Sequence, residues 1–390
     1  GNIVGRVYAV RPVANCVIQH GAVLRFYSSL IAVCVVAACG DPAESPVPSD
    51  VPDMGMSDIG GEVPDAKVSD GGEPISDSGS GPDATVHADM AMDASPSNSG
   101  WHDRAALPGP QQEVATVALN GLIWVMGGFN DVAAQLATMV VYDPDTDSWS
   151  PRADFPARAN HMNAVVHDGK IWVTGFLHMG FQPDGRTFVY DPDTDVWSPG
   201  TDLPAGRGRG ASAMGVIDGQ IYVAGGIGNG GAVALFDVLD PATGSWTALP
   251  DVPRSFDHAG YGVINGNLVV AAGRRGAIAA YVDQVHSYDP NDGQWVDRAS
   301  IPTARGGVAS AVHGGKLYVF GGEGDPDSPG NVFPQVEAYD FAADRWEELD
   351  PMPKPRHGFA GATLNDIIYL PGGAPTEFLD AVDTHQVFIP

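Results

Sequence analysis

The chain has 390 residues, with 20 Lys and Arg against 48 Asp and Glu, which gives a formal net charge of -28 at pH 7. This acidity argues against a nucleic-acid binder, because phosphate contacts require a basic protein surface. Gly supplies 50 positions and Pro 32, so turns are frequent and an all-α fold is excluded. A hydrophobic content of 44% provides core material for one large domain or two ordinary ones.

The first 39 residues differ from the rest of the chain in charge. They contain three Arg and no acid, and an apolar run from Leu30 to Ala38 follows a basic flank at Arg25. The run is too short to span a bilayer, but its basic flank and small residues are typical of an export signal. The alternative is a buried core segment, although the acidic stretch behind it offers nothing to pack against.

The end of this run, Val36-Ala37-Ala38-Cys39, resembles the lipobox of a bacterial lipoprotein. The resemblance implies that Cys39 carries a lipid and anchors the chain in the bacterial cell envelope, in the periplasm or at the surface. No Cys follows position 39. A disulfide framework, a thiolate zinc site and a cysteine nucleophile are therefore excluded from the remaining chain.

Residues 40–100 form a second compositional segment. They contain 13 acids and one basic residue, Lys67, among abundant Pro, Gly and Ser. Such a segment cannot bury enough apolar surface to offset the entropy of ordering, so we predict a disordered linker.

From residue 101 the chain repeats itself six times. One Trp recurs in each repeat, at steps of 48, 48, 49, 49 and 51 residues, and a Pro follows each Trp seven residues later. The tryptophans are Trp101, Trp149, Trp197, Trp246, Trp295 and Trp346. Two markers at one period near 50 residues indicate a propeller or a solenoid.

Each repeat contains the local signals of antiparallel strands. A two-residue turn such as Asn120-Gly121 or Asp168-Gly169 precedes a β-branched and aromatic run such as Ile123-Trp124-Val125. Asn-Gly and Asp-Gly favour tight hairpins. A third strand ends in Tyr-Asp-Pro in three repeats, and the next Trp begins a fourth. We therefore predict an all-β fold made of four-stranded sheets.

Paired glycines follow the second strand, as at Gly127-Gly128 and Gly321-Gly322, although two copies have Thr174-Gly175 and Ala272-Gly273 instead. With the Tyr and Trp that follow, this succession resembles the kelch repeat. The resemblance covers residues 101–390 and implies a six-bladed β-propeller. The strand around Trp101 is expected to complete the last blade, so that an N-terminal strand closes the ring and leaves no open sheet edge.

The repeated segments 143–147 and 191–195, each Asp-Pro-Asp-Thr-Asp, begin like a calcium loop. Both lack the Gly at position six and the Glu at position twelve of an EF-hand. We therefore interpret them as hairpin turns capped by Asp side chains, and the sequence assigns no metal and no cofactor.

Basic and imidazole residues recur before the first strand of several repeats. Arg209, Arg305 and Arg356 precede the turn glycine or its equivalent by ten residues, and His161 and His258 by eight. Equivalent positions of successive blades lie on one ring, so these groups should converge at one mouth of the channel. Three guanidinium groups there would bind a carboxylate or phosphate. The alternative is that these arginines bond the carbonyls at the blade ends.

In kelch propellers the loops after the glycine pairs open on the same face, and variable loops on a repetitive scaffold are where specificity usually resides. This adds rim candidates: His178, Phe181, Arg186, Arg274, Arg275, Tyr281 and Glu323.

The predicted function is a monomeric binding or interaction module that takes a protein, a peptide or an acidic glycan at the channel mouth. The alternative is an enzyme. Kelch propellers include periplasmic sugar mutarotases. For that activity, an acid such as Glu323 beside channel arginines would be the smallest set of catalytic groups required. They also include a copper oxidase with a cysteine-modified tyrosine, which the absence of Cys after Cys39 excludes. The sequence does not assign a nucleophile or base, and the fold alone does not determine activity.

Overall fold

The structure is a computed structural model that describes residues 100–276 and 280–390. The predicted signal segment and the predicted linker up to residue 99 lie outside the described residues. Within the described ranges, no helix is both long and apolar enough to cross a membrane.

Six four-stranded antiparallel sheets follow one another along the described chain. Blade one contains β2 (Ala115–Leu119), β3 (Leu122–Met126), β4 (Met139–Asp143) and β5 (Ser148–Arg152). Blade two contains β6 (Ala164–His167), β7 (Lys170–His178), β8 (Gln182–Asp191) and β9 (Val196–Pro199), with a short 3-10 turn at Met179–Phe181. Blade three contains β10 (Ala213–Ile217), β11 (Gln220–Ala224), β14 (Phe236–Asp240) and β15 (Ser245–Ala248), with a small hairpin of β12 (Ile227–Gly228) and β13 (Gly231–Ala232).

The remaining blades repeat the same order. Blade four contains β16 (Gly260–Ile264), β17 (Asn267–Ala271), β18 (Val285–Asp289) and β19 (Gln294–Arg298). Blade five contains β20 (Ala309–His313), β21 (Lys316–Phe320), β22 (Val336–Asp340) and β23 (Arg345–Leu349). Blade six contains β24 (Ala362–Leu364), β25 (Ile367–Pro371), β26 (His385–Ile389) and, as its outer strand, β1 (Gly100–Asp103). The fold is a six-bladed β-propeller, which confirms the predicted fold class.

The tight turns between the first and second strands have the backbone that their sequences predict. In blade one, Asn120 and Gly121 have φ angles of 53° and 76°, and both angles must be positive in a type I′ hairpin. The last blade has Asn365 and Asp366 at the same place, with φ angles of 49° and 62°. The side chains of Asn and Asp tolerate this conformation better than those of most residues.

The periodic tryptophans join neighbouring blades. Trp149 lies opposite Tyr142 in its own sheet, and its indole N–H donates 2.8 Å to the Ala105 carbonyl in the segment before blade one. The same bond recurs from each of the other five tryptophans. The sixth runs from Trp101 on β1 to the Asp350 carbonyl of blade five, at 3.2 Å. The outer strands are therefore connected in a continuous circle.

The repeated Asp segments are engaged in turns and in contacts between blades. The Asp143 carboxylate accepts a hydrogen bond from the Asp145 backbone N–H at 2.9 Å. The Asp147 carboxylate accepts one from the Tyr142 hydroxyl at 2.6 Å and one from the Ala105 backbone N–H at 2.9 Å. The turn interpretation thus accounts for the first and last carboxylates of each segment, those of Asp143 and Asp147 and of Asp191 and Asp195.

The pairing of β1 with β26 generates a stability prediction. Trp101 pairs with Phe388 in register, and its ring also lies 5.8 Å from that of Phe320 in blade five. Deleting residues 100–103 from the full chain leaves β26 with a free edge and removes these contacts. We expect a loss of unfolding free energy of about 3–5 kcal/mol, the range for truncating a large aromatic residue in a core.

Urea unfolding measures this loss. Removing four residues from the predicted linker, 60–63, is the control and should leave the urea midpoint unchanged. Equal midpoints for the two deletions would contradict closure by β1.

Candidate functional site at one end of the channel

A ring of six residues, one from each blade, surrounds one end of the channel. We call Glu113, His161, Ala211, His258, Gly307 and Gly358 the mouth ring. Each backbone N–H donates to the carbonyl of the preceding member, and Glu113 donates to Gly358, at 2.5–3.3 Å. All six residues have positive φ angles, between 49° and 64°. The backbone of the mouth ring is therefore a closed circle of hydrogen bonds between blades.

The side chains of the mouth ring are unevenly distributed. Ala211, Gly307 and Gly358 have small side chains or none, whereas Glu113, His161 and His258 have groups that can bind or transfer a proton. All six line a channel cavity of about 280 Å³. The six-fold backbone thus holds an asymmetric set of chemical groups.

We call Glu113, His161 and His258 the triad. The Nε2 atoms of the two histidines lie 2.7 Å apart, and His161 Nε2 lies 3.1 Å from Glu113 Oε2. The side chains of His161, His258 and Glu113 are 3%, 2% and 13% exposed. These three groups therefore converge on one point while being almost withdrawn from solvent.

Charged side chains contact His258 from outside the triad. Its Nδ1 donates 2.5 Å to Asp257, whose carboxylate also accepts from Arg274 Nε at 2.9 Å and from the Gly276 backbone N–H at 2.9 Å. Arg274 also donates to Glu323, and its Nη2 lies 2.8 Å from His258 Nε2. The chain therefore brings His258, Arg274 and Glu323 together, all three of which are sequence candidates.

The pKa values of this cluster follow from burial and from neighbouring charge. Burial lowers the pKa of His258 to about 4, and the nearby Arg274 acts in the same direction. Burial alone would raise the pKa of Asp257, but His258 and Arg274 outweigh it and hold the value at about 2. In Glu113, the interactions with His161 likewise outweigh burial and place the pKa well below the usual range. Burial raises the pKa of Glu323 despite the neighbouring Arg274.

The structure does not place the three predicted arginines at the mouth. Arg209, Arg305 and Arg356 are 0%, 0% and 1% exposed. Arg305 donates to the carbonyls of Gly321 and Val319 and pairs with Glu337. Arg356 donates to three backbone carbonyls and to Gln386, and Arg209 donates to two carbonyls and pairs with Asp237 at 2.8 Å. Their guanidinium groups thus bond blade-end carbonyls, as the alternative interpretation holds, and this corrects the expected convergence.

Two signals in the sequence could have identified these arrangements. The blades with a buried arginine have Asp237, Glu337 or Gln386 at the second position of the third strand, where blade one has Val140. An acid or amide at an otherwise apolar strand position indicates a buried partner.

Glu113 precedes the turn glycine by eight residues, as His161 and His258 do. It was missed because only basic and imidazole residues were counted.

The other rim candidates lie on the loops after the glycine pairs. His178 and Arg186 both pair with Asp184, at 2.7 and 2.8 Å. The Tyr281 hydroxyl donates to Glu377 at 2.9 Å, and Arg275 donates to Gln284 at 2.7 Å. These contacts are local to the loops and do not reach the triad.

Loops of three consecutive blades also expose apolar side chains. We call Val132, Met179, Phe181, Phe378 and Leu379 the apolar patch; their exposed fractions are 73%, 62%, 47%, 61% and 42%. The Phe181 ring lies 5.6 Å from the ring of His161. The backbone of Phe378 and Asp380 is bonded to Gln112, the neighbour of Glu113. Two members of the apolar patch, Phe181 and Phe378, thus lie beside the mouth ring.

Comparison with known proteins identifies the repeats. The kelch motif matches residues 113–156, 208–253 and 304–353. The chain is 35% identical over 193 residues to the Kelch-like protein terF of Aspergillus terreus, which covers 47% of this chain and 42% of that protein. It is 29% identical over 178 residues to human Kelch-like protein 34, and this match covers 44% of this chain and 27% of that protein. The chain thus spans less than half the length of these relatives.

Among solved structures, the one titled "Structure of YjhT" matches with a TM-score of 0.61 at 16% identity, over 72% of this chain and 95% of that one. This likeness concerns the fold alone. Together the comparisons confirm that the chain contains kelch repeats arranged as a six-bladed propeller.

The buried arginines generate a prediction that separates a structural role from a binding role. Replacing Arg305 by Ala leaves Glu337 buried without its cation, and we expect a loss of about 3–5 kcal/mol of unfolding free energy. Replacing both residues by Met should cost less than the sum of Arg305→Met and Glu337→Met measured singly, with a coupling of about 0.5–3 kcal/mol.

Urea unfolding of the single and double variants measures this coupling. Arg186→Ala, which alters an exposed loop ion pair, is the control and should change stability by less than about 1 kcal/mol. If Arg305→Ala unfolds like the wild type, the arginine has no structural role and the anion site would have to be reconsidered.

Proposed function

We propose that this propeller is a binding module whose loop face docks a partner protein. The docked segment of the partner is apolar and is flanked by Lys or Arg. The observation that carries the proposal is the apolar patch beside the mouth ring. Among the described residues, seven large hydrophobic side chains are exposed, and five of them form the patch. Apolar clusters of this kind on a soluble domain mark interaction sites.

The charge of the loops selects the kind of partner. The blade-five loop contains Glu323, Asp325 and Asp327, and the blade-six loop contains Glu377, Asp380 and Asp383, with no Lys or Arg in either. The three arginines predicted to attract an anion are buried and paired. The mouth therefore favours a basic partner over the acidic glycan expected from the sequence, because opposite charge steers association and suppresses wrong partners.

The relatives support the coarser part of this proposal. Kelch-repeat propellers commonly serve as protein-interaction modules, and this chain shares their repeat. What those proteins bind does not transfer to this chain, since it spans less than half of each.

Display of random peptides against the purified protein tests the proposal. We expect selected peptides to combine apolar residues with Lys or Arg, and to bind more weakly as ionic strength rises. Phe181→Asp should weaken a selected peptide about tenfold or more, because it removes a large apolar contact. Val196→Asp, at an exposed apolar residue on an outer strand of the same domain (54% exposed), is the matched control and should leave binding unchanged.

Two outcomes would contradict docking at the apolar patch. One is selection of acidic peptides, and the other is equal loss of affinity in Phe181→Asp and Val196→Asp.

A carbohydrate-directed enzyme is the second candidate, and the buried titratable triad beside the channel cavity favours it. Measuring anomer exchange of acidic and neutral sugars with the purified protein tests this candidate. Rates equal to those of buffer alone would remove it.

We also propose that the propeller is tethered in a bacterial cell envelope through lipid on Cys39. The support is the lipobox-like ending of the apolar run and the acidic segment behind it. Cys39→Ser should release a folded protein into the soluble fraction after cell fractionation. Intact-mass analysis of the membrane-extracted wild type should show a lipidated chain beginning at Cys39, and an unmodified chain that retains residues 1–38 would refute the tether.

A further inference from the structure

We propose that the triad of Glu113, His161 and His258 is a binding site for one divalent transition-metal ion, open to the channel cavity. Among the described residues, no other group of three or more His, Cys, Asp or Glu side chains has all its ligand atoms within 4.8 Å of one another. Two imidazoles and one carboxylate form a ligand set suited to zinc and to neighbouring first-row metals.

The distances fit an ion with small adjustments. Zinc binds His nitrogen and carboxylate oxygen at about 2.0–2.2 Å, so ligand atoms in a tetrahedral site are about 3.3 Å apart. In the structure, His161 Nε2 lies 2.7 Å from His258 Nε2 and 3.1 Å from Glu113 Oε2. Rotations of the side chains that open these spacings by about half an ångström would admit the ion.

The second, independent observation concerns the other nitrogen of each imidazole. His258 Nδ1 donates to the Asp257 carboxylate, and His161 Nδ1 lies 2.5 Å from the Asn160 amide oxygen. Asp257 and Asn160 are 1% and 0% exposed. Oxygen acceptors on the Nδ1 atoms fix the tautomer that turns both Nε2 lone pairs inward, which is the usual outer shell of a histidine-bound metal.

The backbone presents these ligands from a rigid frame. All three occupy the same position in their blades, with φ angles of 54°, 49° and 54°, and are joined through the closed hydrogen bonds of the mouth ring. All three ligands also line the channel cavity, so an exogenous molecule could reach the ion from that side. Three protein ligands with an open fourth position are typical of a metal that binds an exogenous molecule rather than a purely structural one.

The surrounding charge suits a dication. Glu113, Asp257 and Glu323 are opposed by the single guanidinium of Arg274 in this cluster, which leaves a formal charge of two negatives when all are ionised. Arg274 Nη2 lies 2.8 Å from His258 Nε2 and must give up this contact when a metal binds. Its contacts with Asp257 and Glu323 can remain.

Calorimetric titration of the chelator-treated full chain, prepared without a histidine tag, with Zn²⁺ tests the site. We expect one tight equivalent in the wild type. Glu113→Gln and His258→Gln should weaken binding by at least about 100-fold, and Asn160→Ala, which removes only an outer contact, by about 10–100-fold. The Zn²⁺-induced rise in melting temperature should disappear in parallel.

His178→Ala is the matched control, because this loop histidine also pairs with a carboxylate, Asp184, and it should bind Zn²⁺ like the wild type. Melting curves of the metal-free variants identify any that do not fold. If the histidine variant fails that check, the near-isosteric Glu113→Gln decides. The proposal is overturned if the wild type takes up no stoichiometric Zn²⁺, if Glu113→Gln binds as tightly as the wild type, or if only His178→Ala loses binding.

Discussion

The six backbone hydrogen bonds of the mouth ring are the constraint on which the other features of this end of the channel depend. Each bond joins two neighbouring blades, and each is made by a residue with a positive φ angle. Four of the six residues are not glycine, and two of these four are histidines, so the local conformation costs free energy that the circle of bonds offsets. The frame fixes where Glu113, His161 and His258 meet, and thereby the chemistry of the mouth.

The buried arginines Arg209, Arg305 and Arg356 stabilise the blades by contacts within each repeat. Each buried guanidinium donates to a backbone carbonyl of the second strand of its blade, and each is matched by an acid or an amide on the third strand. Arg305 with Glu337 is the fullest example, since three further carbonyls accept from the same side chain. A charge withdrawn from water in this way stabilises the blade only while its partner is present.

The part of this fold that local sequence determines was predictable. The Asn-Gly and Asp-Gly turns, the periodic Trp and the strand order all follow from residues close in sequence, and the structure agrees. The direction of the Arg305 side chain was not predictable. Its register places the Cα atom on a ring but does not determine whether the long side chain points toward the channel or into the blade. That choice depends on Glu337, 32 residues away. Glu113 shares the register of His161, but only the three-dimensional ring shows that the two side chains meet. Of the apolar patch, the sequence predicted only Phe181 as a rim residue, since the loops differ in length and sequence.

The construction of the mouth ring from main-chain atoms has an evolutionary consequence. Since N–H and C=O groups form the circle, a side chain there can change wherever the residue accepts a positive φ angle and the neighbouring side chains leave room. Ala211 lines the cavity and carries no ligating group, so a single substitution there could introduce a new ligand, whereas a Cβ added at Gly358 would lie 2.6 Å from Glu113 Oε1. The repeat therefore supplies equivalent positions around one axis, and descendants of such a chain could change the chemistry at some of them without altering the architecture.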